Sequence, residues 1–497
     1  MKINNILPTA FAAVFFLSSC RTEPVIPPSA PPTATGSELQ QIADSVYLFS
    51  REIYFWDEIR LRAYDYEIFK PRDSVKTGDA VATAKAVLEK VKSTSTNKMD
   101  KSFSYATAFD DEAGTSSVAQ NINDYGFYFK AGYSNRRIYP DLTLNNPFFS
   151  GFYINYVYKN SDAGKKGVQR GWKILSINGT DMTKITQAAV SRLNNMFYYE
   201  TLKNADIVFQ RPNAQNDTTI NVAITSFSPN SVLYREKITS STGRNIGYLV
   251  YNFFGKYAET KAEIDEAIQY FKNQGVNEIV IDLRYNRGGY TQMQDYLANS
   301  FAPASANGNV MYKMHYNADL QAGNYTLMRS RHTYDKDYYS IARNTHNFST
   351  INNFNTTKLY VIVGESTASA SELFINSIQP YLNSNIILIG DNNTYGKPVG
   401  FFPIDLLKKV TFWTVSFETR NKNEGAVPYS GFGPNYKVYD GVDKPWGDKD
   451  EDCLKAVVNL IDGKPAVSAT TETLPRNVTP LLIKQKEIFE HSNLLLR

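Results

Sequence analysis

The stretch "KLYVIVGESTASASELFINSIQPYL", residues 358–382, reads as strand, loop and helix in a single line. "KLYVIVG" is a short apolar run rich in β-branched residues, which fits a buried strand. "SASELFINSIQPYL" reads as a helix. Between the two, residues 366–371 are all Ser, Thr or Ala. Small residues build no core and make a poor strand, so their presence here needs another reason. Three serines, Ser366, Ser369 and Ser371, are offered as reactive groups.

The same alternation extends to both sides. "RNIGYLVYNFF" (244–254) and "NEIVIDLR" (277–284) read as strands, with the helix "KYAETKAEIDEAIQYFKNQG" (256–275) between them and Gly275 closing it. "QMQDYLANSFA" (292–302) reads as helix and "NIILIG" (385–390) as strand. Strands alternating with helices predict a mixed or parallel sheet covered by helices. Ligands in such folds sit at the carboxyl ends of the strands. "GESTASASE" lies at such an end, and so does "DLRYNRGG" (282–289).

Upstream the pattern differs. Residues 37–100 are predicted to be mostly helical, with Ser37 and Gln40 forming a capping box ahead of Leu39, Ile42, Val46, Phe49 and Ile53 at helical spacing. "GDAVATAKAVLEKVKS" (78–93) predicts a second helix. From Asp124 onward come short strands: "YGFYFKAGY", "GFYINYVYKN", "KILSING", "NADIVFQR" and "TTINVAITSF". The organisation expected is therefore a leader (1–20), a Pro-rich spacer (21–36), a helical region (37–115), a β-rich unit (116–228), an α/β unit (229–460) and a C-terminal tail (461–497).

Of 497 residues, 53 are Lys or Arg and 49 are Asp or Glu, a net charge of +4, too balanced to imply a nucleic-acid partner. Lys2, the apolar stretch from Ile6 to Leu17 and the small residues after it have the layout of a secretory signal. Leu17-Ser18-Ser19-Cys20 resembles a bacterial lipobox, which makes Cys20 the expected lipidation site and the cell envelope the expected location. Arg21 after it, with no Asp there, disfavours inner-membrane retention. Cys453 is the one other cysteine, so with Cys20 lipidated no internal disulfide is expected.

A Ser-His-Asp triad needs a histidine, and His315, His332, His346 and His491 all lie outside the strand-end segments. "GESTAS" also lacks the G-x-S-x-G elbow. A serine with a lysine base is the alternative, and "NNTYGKPVG" (392–400) places Lys397 after the strand "NIILIG". A free lysine titrates near 10.4, whereas a base working at neutral pH should lie at roughly 7 to 8. Burial can supply that shift of roughly 3 units, about 4 kcal/mol. Tyr395, Pro398, Val399, Phe401 and Phe402 are its expected apolar surroundings. Ser369 opens the helix, where unpaired N–H groups point at developing negative charge.

"TASASE", "TYGK" and "DLRYNRGG" together resemble the C-terminal processing peptidases, or tail-specific proteases, which are serine–lysine endopeptidases with a PDZ module. The resemblance covers residues 40–460 and looks most like lipoprotein members from Bacteroidetes-type bacteria. It implies an α/β protease domain of the crotonase or caseinolytic-protease type, a PDZ-like β-rich domain and a helical N-terminal region. It implies Ser369 as nucleophile, Lys397 as base and Glu372 as the assisting acid. The oxyanion hole maps to the N–H groups of Gly288, or less well Gly289, and Ala370. "YGFYF" stands at the PDZ carboxylate loop, with Gly126, Phe127 and Tyr128 as donors to a substrate tail, and "GFGPN" (431–435) resembles the late "GIxPD" motif. The implied partner is a protein or peptide with an accessible C-terminus, and no metal or other cofactor is expected. Two departures stand out. Lys397 follows Ser369 by 28 residues, a few more than is usual, and Phe401 occupies the place of a glutamine that orients the lysine in many members. The rival reading is a peptide-binding surface lipoprotein that kept the fold and lost turnover. Arginine cannot serve as base at neutral pH. Lys397→Arg should therefore abolish hydrolysis of an unstructured protein while circular dichroism stays unchanged, and retained hydrolysis would remove the lysine from the chemistry.

Overall fold

A computed structural model describes residues 36–466 apart from 57–60, 62–65, 96–98, 101–102, 110–120, 140–143, 332–334 and 350–353. The leader with Cys20, nearly all of the spacer and the tail beyond 466 lie outside the described residues.

The α/β unit is organised by a six-stranded sheet in the order Val232–Thr239, Asn245–Tyr251, Glu278–Asp282, Leu359–Val363, Ile386–Gly390 and Tyr436–Lys437. The first pair is antiparallel and the rest are parallel. Leu249, Ile281, Val361 and Leu388 stand in register across its centre. Helices Tyr257–Asn273, Thr291–Phe301 and Ala370–Leu382 connect the strands. Gly275, at φ 62°, ends the first of them as the sequence predicts. Because the strands are parallel, the loops 283–290, 364–369 and 391–398 all leave from one edge of the sheet.

A second sheet lies outside the predicted pattern. It pairs Val310–Tyr316, Val399–Leu406, Val410–Arg420, Thr345–Asn347 and Tyr105–Ala108. Helix Glu38–Ile53 begins with the predicted Ser37–Gln40 capping box, and Asp79 caps helix Ala80–Thr94 through the Ala82 N–H at 2.9 Å. Their apolar faces, including Ile42, Val46, Val87 and Val91, join one core with Phe412, Val415 and Phe417 of this sheet. The β-rich unit has its own core, built around Phe127, Phe152, Ile174, Leu193 and Phe209. Its sheet runs Phe127–Tyr133, Phe149–Val157, Lys173–Ile177, Asn204–Gln210 and Thr218–Ala223, with Phe127–Tyr133 as a terminal strand.

A buried charge cluster ties the β-rich unit to the sheet edge. Asp440 accepts from Arg284 Nη1 at 2.9 Å, Arg170 Nη2 at 3.0 Å, Lys130 Nζ at 3.1 Å and the Tyr285 hydroxyl at 2.6 Å. Arg284 also grips Asp282 and Glu451. Burial alone would raise the Asp440 carboxyl, but Lys130, Arg284 and Arg170 together hold it well below the usual range. Removing one partner from such a cluster strands the others in a low dielectric. Arg284→Met should lower stability by about 3–5 kcal/mol, read as a fall in the urea midpoint of unfolding. An unchanged midpoint would show that the cluster is solvated.

Candidate active site

Ser369 sits between the loop of small residues and helix Ala370–Leu382, with φ 58° and ψ −113°. A non-glycine residue rarely adopts that conformation, and such strain is held only where the surroundings over-determine it. Those surroundings are specific. The Ala368 N–H donates to Asn286 O at 3.1 Å, and the Ser371 hydroxyl donates to the same oxygen at 3.0 Å. The Thr367 hydroxyl donates to Leu283 O at 2.8 Å. The side chains on either side of Ser369 thus stitch its loop to the 283–289 loop. The Ser369 hydroxyl itself is buried and has no hydrogen-bond partner among the described residues, the Lys397 amine included. Of the three serines the sequence offers, Ser371 is committed to structure and Ser369 is left with a hydroxyl to spend.

Glu372 holds the site together. Its Oε2 accepts from the N–H of Ser369 at 3.0 Å and of Lys397 at 2.8 Å. Its Oε1 accepts from the Gly396 N–H at 2.7 Å and the Thr394 hydroxyl at 2.5 Å. All four partners are donors, so the ionised carboxylate is the form that satisfies them. Burial raises the Glu372 pKa, and these same bonds work against the rise. The "GFGPN" segment braces the arrangement from outside, since the Phe432 N–H donates to the Thr394 hydroxyl at 2.7 Å. At Gly431 a Cβ would lie 1.8 Å from Thr394 O, so the two backbones meet at a distance that no side chain would permit.

Lys397 is 7% exposed, and its Nζ lies 4.5 Å from the centre of the Phe401 ring. Phe401 is fully buried and meets Tyr105 edge-on. At the position where the resemblance implied an orienting glutamine, an aromatic face lies beneath the amine. Desolvation lowers the Lys397 pKa to about 7, with Glu372 and Asp100 opposing the fall. Asp100 comes from the helical region, which the sequence did not connect with the site. It is buried and accepts from the Ser104 N–H at 2.8 Å and the Tyr54 hydroxyl at 3.1 Å. Tyr395, expected in the apolar wall, instead faces outward at 47% exposure.

The expected oxyanion donors are close to Ser369. A Cβ at Gly288 would stand 2.8 Å from both Ser369 Cβ and the Ala370 nitrogen, so glycine is required there. The Ala370 N–H has no acceptor among the described residues. The Gly288 N–H is already donated, to Asn286 Oδ1 at 2.8 Å. Asn286 Nδ2 is anchored on Tyr251 O at 2.9 Å, and Arg284 belongs to the charge cluster, so both have structural tasks. At the other candidate loop, the Gly126 N–H is donated to Asp124 Oδ1 at 2.6 Å. Phe127 packs inside the β-rich core against Phe197, while Tyr128 stacks on Tyr156 at 4.7 Å and faces the α/β unit. A cavity of about 170 Å³ between the units is lined by Tyr128, Asn155, Tyr156, Tyr285, Glu365 and Ser366, and it stops short of Ser369.

Two consequences are measurable. Lys397 binds its proton less tightly in the fold than in the unfolded chain, so the buried amine weakens the fold below about pH 7, and the penalty fades as pH rises toward 10.5. Lys397→Met should therefore raise the thermal midpoint by several degrees at pH 6 and by less at pH 9 in scanning calorimetry. Glu372→Gln turns an amide N–H toward donors and should cost about 2–3 kcal/mol in a denaturant titration, because either two buried N–H groups, or one N–H and the hydroxyl, lose their acceptor.

Comparison with known proteins agrees with this geometry. Residues 245–438 match the model of peptidase family S41. The chain is 24% identical over 238 residues to the carboxyl-terminal-processing protease of Picosynechococcus sp., covering 48% of each chain. It is 22% identical over 245 residues to the carboxy-terminal processing protease CtpB of Bacillus subtilis, covering 48% of this chain and 42% of that one. The chain thus spans about half the length of the curated relatives it matches. A crystal structure of a Bacteroides fragilis protein described as an S41 protease superposes with a TM-score of 0.58 at 22% identity, over 84% of this chain and 97% of that one, and shows the shared fold. Loops 283–289, 364–369 and 391–398 all fall inside the residues that match the peptidase family S41 model.

Proposed function

We propose that this protein is a serine endopeptidase in which Lys397 removes the proton from Ser369. The observation that carries the reading is the Glu372 carboxylate, which bonds the N–H of the serine and the N–H of the lysine through one oxygen. Its support is strengthened by a buried amine whose pKa is lowered to about 7 and by a serine hydroxyl with no competing partner. The neutral amine takes the hydroxyl proton as the serine oxygen attacks a peptide carbonyl. The resulting oxyanion lies at the start of the helix, where the Ala370 N–H is open. Collapse releases the amine product, protonated by the lysine, and leaves an acyl-enzyme. Water, deprotonated by the same lysine, then frees the acid.

Protein substrates cut near the C-terminus are the matching class, since both curated relatives are named for carboxyl-terminal processing. Capture of a substrate tail falls to the β-rich unit, whose strand Phe127–Tyr133 ends its sheet and offers an edge for strand addition. Anchoring through a lipid on Cys20 completes the reading, and a Cys20→Ala protein should lose palmitate labelling. Hydrolysis of an unstructured protein should vanish in Ser369→Ala. The pH profile of kcat/KM should rise with an apparent pKa of about 7 and fall about tenfold per pH unit below it, because only the neutral amine is active. Equal hydrolysis by Ser369→Ala, or a flat profile from pH 5 to 8, would defeat the proposal, and absent hydrolysis in both proteins would favour the non-catalytic peptide-binding lipoprotein.

A further inference from the structure

Resting on that reading, we infer that Trp56, Phe103, Tyr395 and Tyr429 form a subsite for an aromatic or large aliphatic side chain of the polypeptide beside the bond to be cut. Tyr395 is the outward-facing residue in a segment whose neighbours Thr394, Gly396 and Lys397 are buried. Its position is fixed, because its N–H donates to Thr367 O at 2.9 Å, two residues before Ser369. Its backbone therefore ties the base loop to the strained serine loop, and its ring turns outward toward Phe103.

The ring is the end of an aromatic row. Tyr395 meets Phe103 edge-on at 6.3 Å, Phe103 meets Trp56 at 6.1 Å, and Trp56 meets Tyr429 at 6.0 Å. The Trp56 indole N–H donates to the Tyr429 hydroxyl at 3.3 Å, and that hydroxyl donates to Glu418 Oε1 at 2.9 Å. The polar atoms of Trp56 and Tyr429 are thus engaged with each other and with Glu418. Tyr429 is joined to the base loop as well, since a Cβ on Gly396 would lie 2.3 Å from Tyr429 O. Trp56, Phe103 and Tyr429 are each half-buried, and Tyr395 is the exposed member.

Trp56, Phe103 and Tyr429 pack against the main core while still reaching the surface, and Tyr395 stands beyond that core at their exposed end. Clustered, partly exposed aromatic faces with their polar atoms engaged fit an apolar ligand. Continuity with the base and the serine loop identifies that ligand as the substrate. The helical region thereby contributes to substrate choice through Trp56 and Phe103, rather than only covering the sheet.

The test uses the full chain and two ten-residue peptide series, one carrying Phe and the other Ala at each position flanking a fixed central bond. Binding to Ser369→Ala is measured by fluorescence anisotropy, and cleavage by the wild type is measured by mass spectrometry. At one position the Phe peptide should bind about tenfold more tightly than its Ala counterpart. In Ser369→Ala/Tyr395→Ala that ratio should fall below about twofold, whereas the remote exposed Tyr199→Ala change should leave it intact. Phe103→Ala should act like Tyr395→Ala, and if it fails to fold, Tyr395→Ala decides alone. Equal binding of both series, or a ratio untouched by Tyr395→Ala, overturns the subsite. A preserved Phe preference in a wild type that cleaves nothing would sink the peptidase reading and leave the subsite standing.

Discussion

A single carboxylate, that of Glu372, is the constraint on which the site depends. It lies at the third position of the helix that Ser369 opens, so it shares that helix's placement on the sheet. From there it takes N–H groups from two chain segments and a hydroxyl from one of them. A buried carboxylate without donors would be neutralised by its own desolvation. With four donors it stays an acceptor, and in doing so it fixes the spacing between serine and lysine backbones. An acid so close to a lysine poses a difficulty, because it should keep the amine charged. The structure answers it: the acid faces the lysine's backbone, and burial of the amine outweighs the attraction of Glu372 and Asp100.

Much of this was legible in advance. Parallel strands flanked by helices announce themselves by length and composition, and their carboxyl ends mark where reactive loops gather. The strand-end placement of Ser369, Gly288 and Lys397 follows from that alone. The second sheet was not legible, for two local reasons. Strands Val399–Leu406 and Val410–Arg420 are joined through Leu407 and Lys408, both at positive φ, 51° and 52°. That is the backbone sign pattern of a tight hairpin usually made by Asn-Gly, and Leu-Lys carries no such signal. Pro403 further disguises the first strand, and it is tolerated because that strand pairs on one side only.

Long-range placement was equally hidden. Asp100, Trp56 and Phe103 read as parts of a helical region with no stated task. Asp100 and Phe103 reach the site because strand Tyr105–Ala108 pairs with Val410–Arg420, with Tyr105 opposite Trp413, and Trp56 is held by its neighbour Phe55, whose N–H donates to Val415 O at 3.0 Å. Nothing in the local pattern of residues 99–108 reports which strand they will join. The outward turn of Tyr395 has the same character, since it depends on a bond to Thr367 that no spacing rule contains.

The Gly288 N–H has a chemical consequence of its own. It begins bound to the neutral amide oxygen of Asn286. Exchanging one uncharged acceptor for another yields almost nothing, so an intact peptide carbonyl has little power to draw the donor away. An oxygen that has acquired full negative charge binds such a donor about twice as strongly. In the proposed reaction a donor parked in this way would be indifferent to the resting substrate and responsive to its tetrahedral successor, which is the kind of selectivity that lowers a barrier without deepening the well before it.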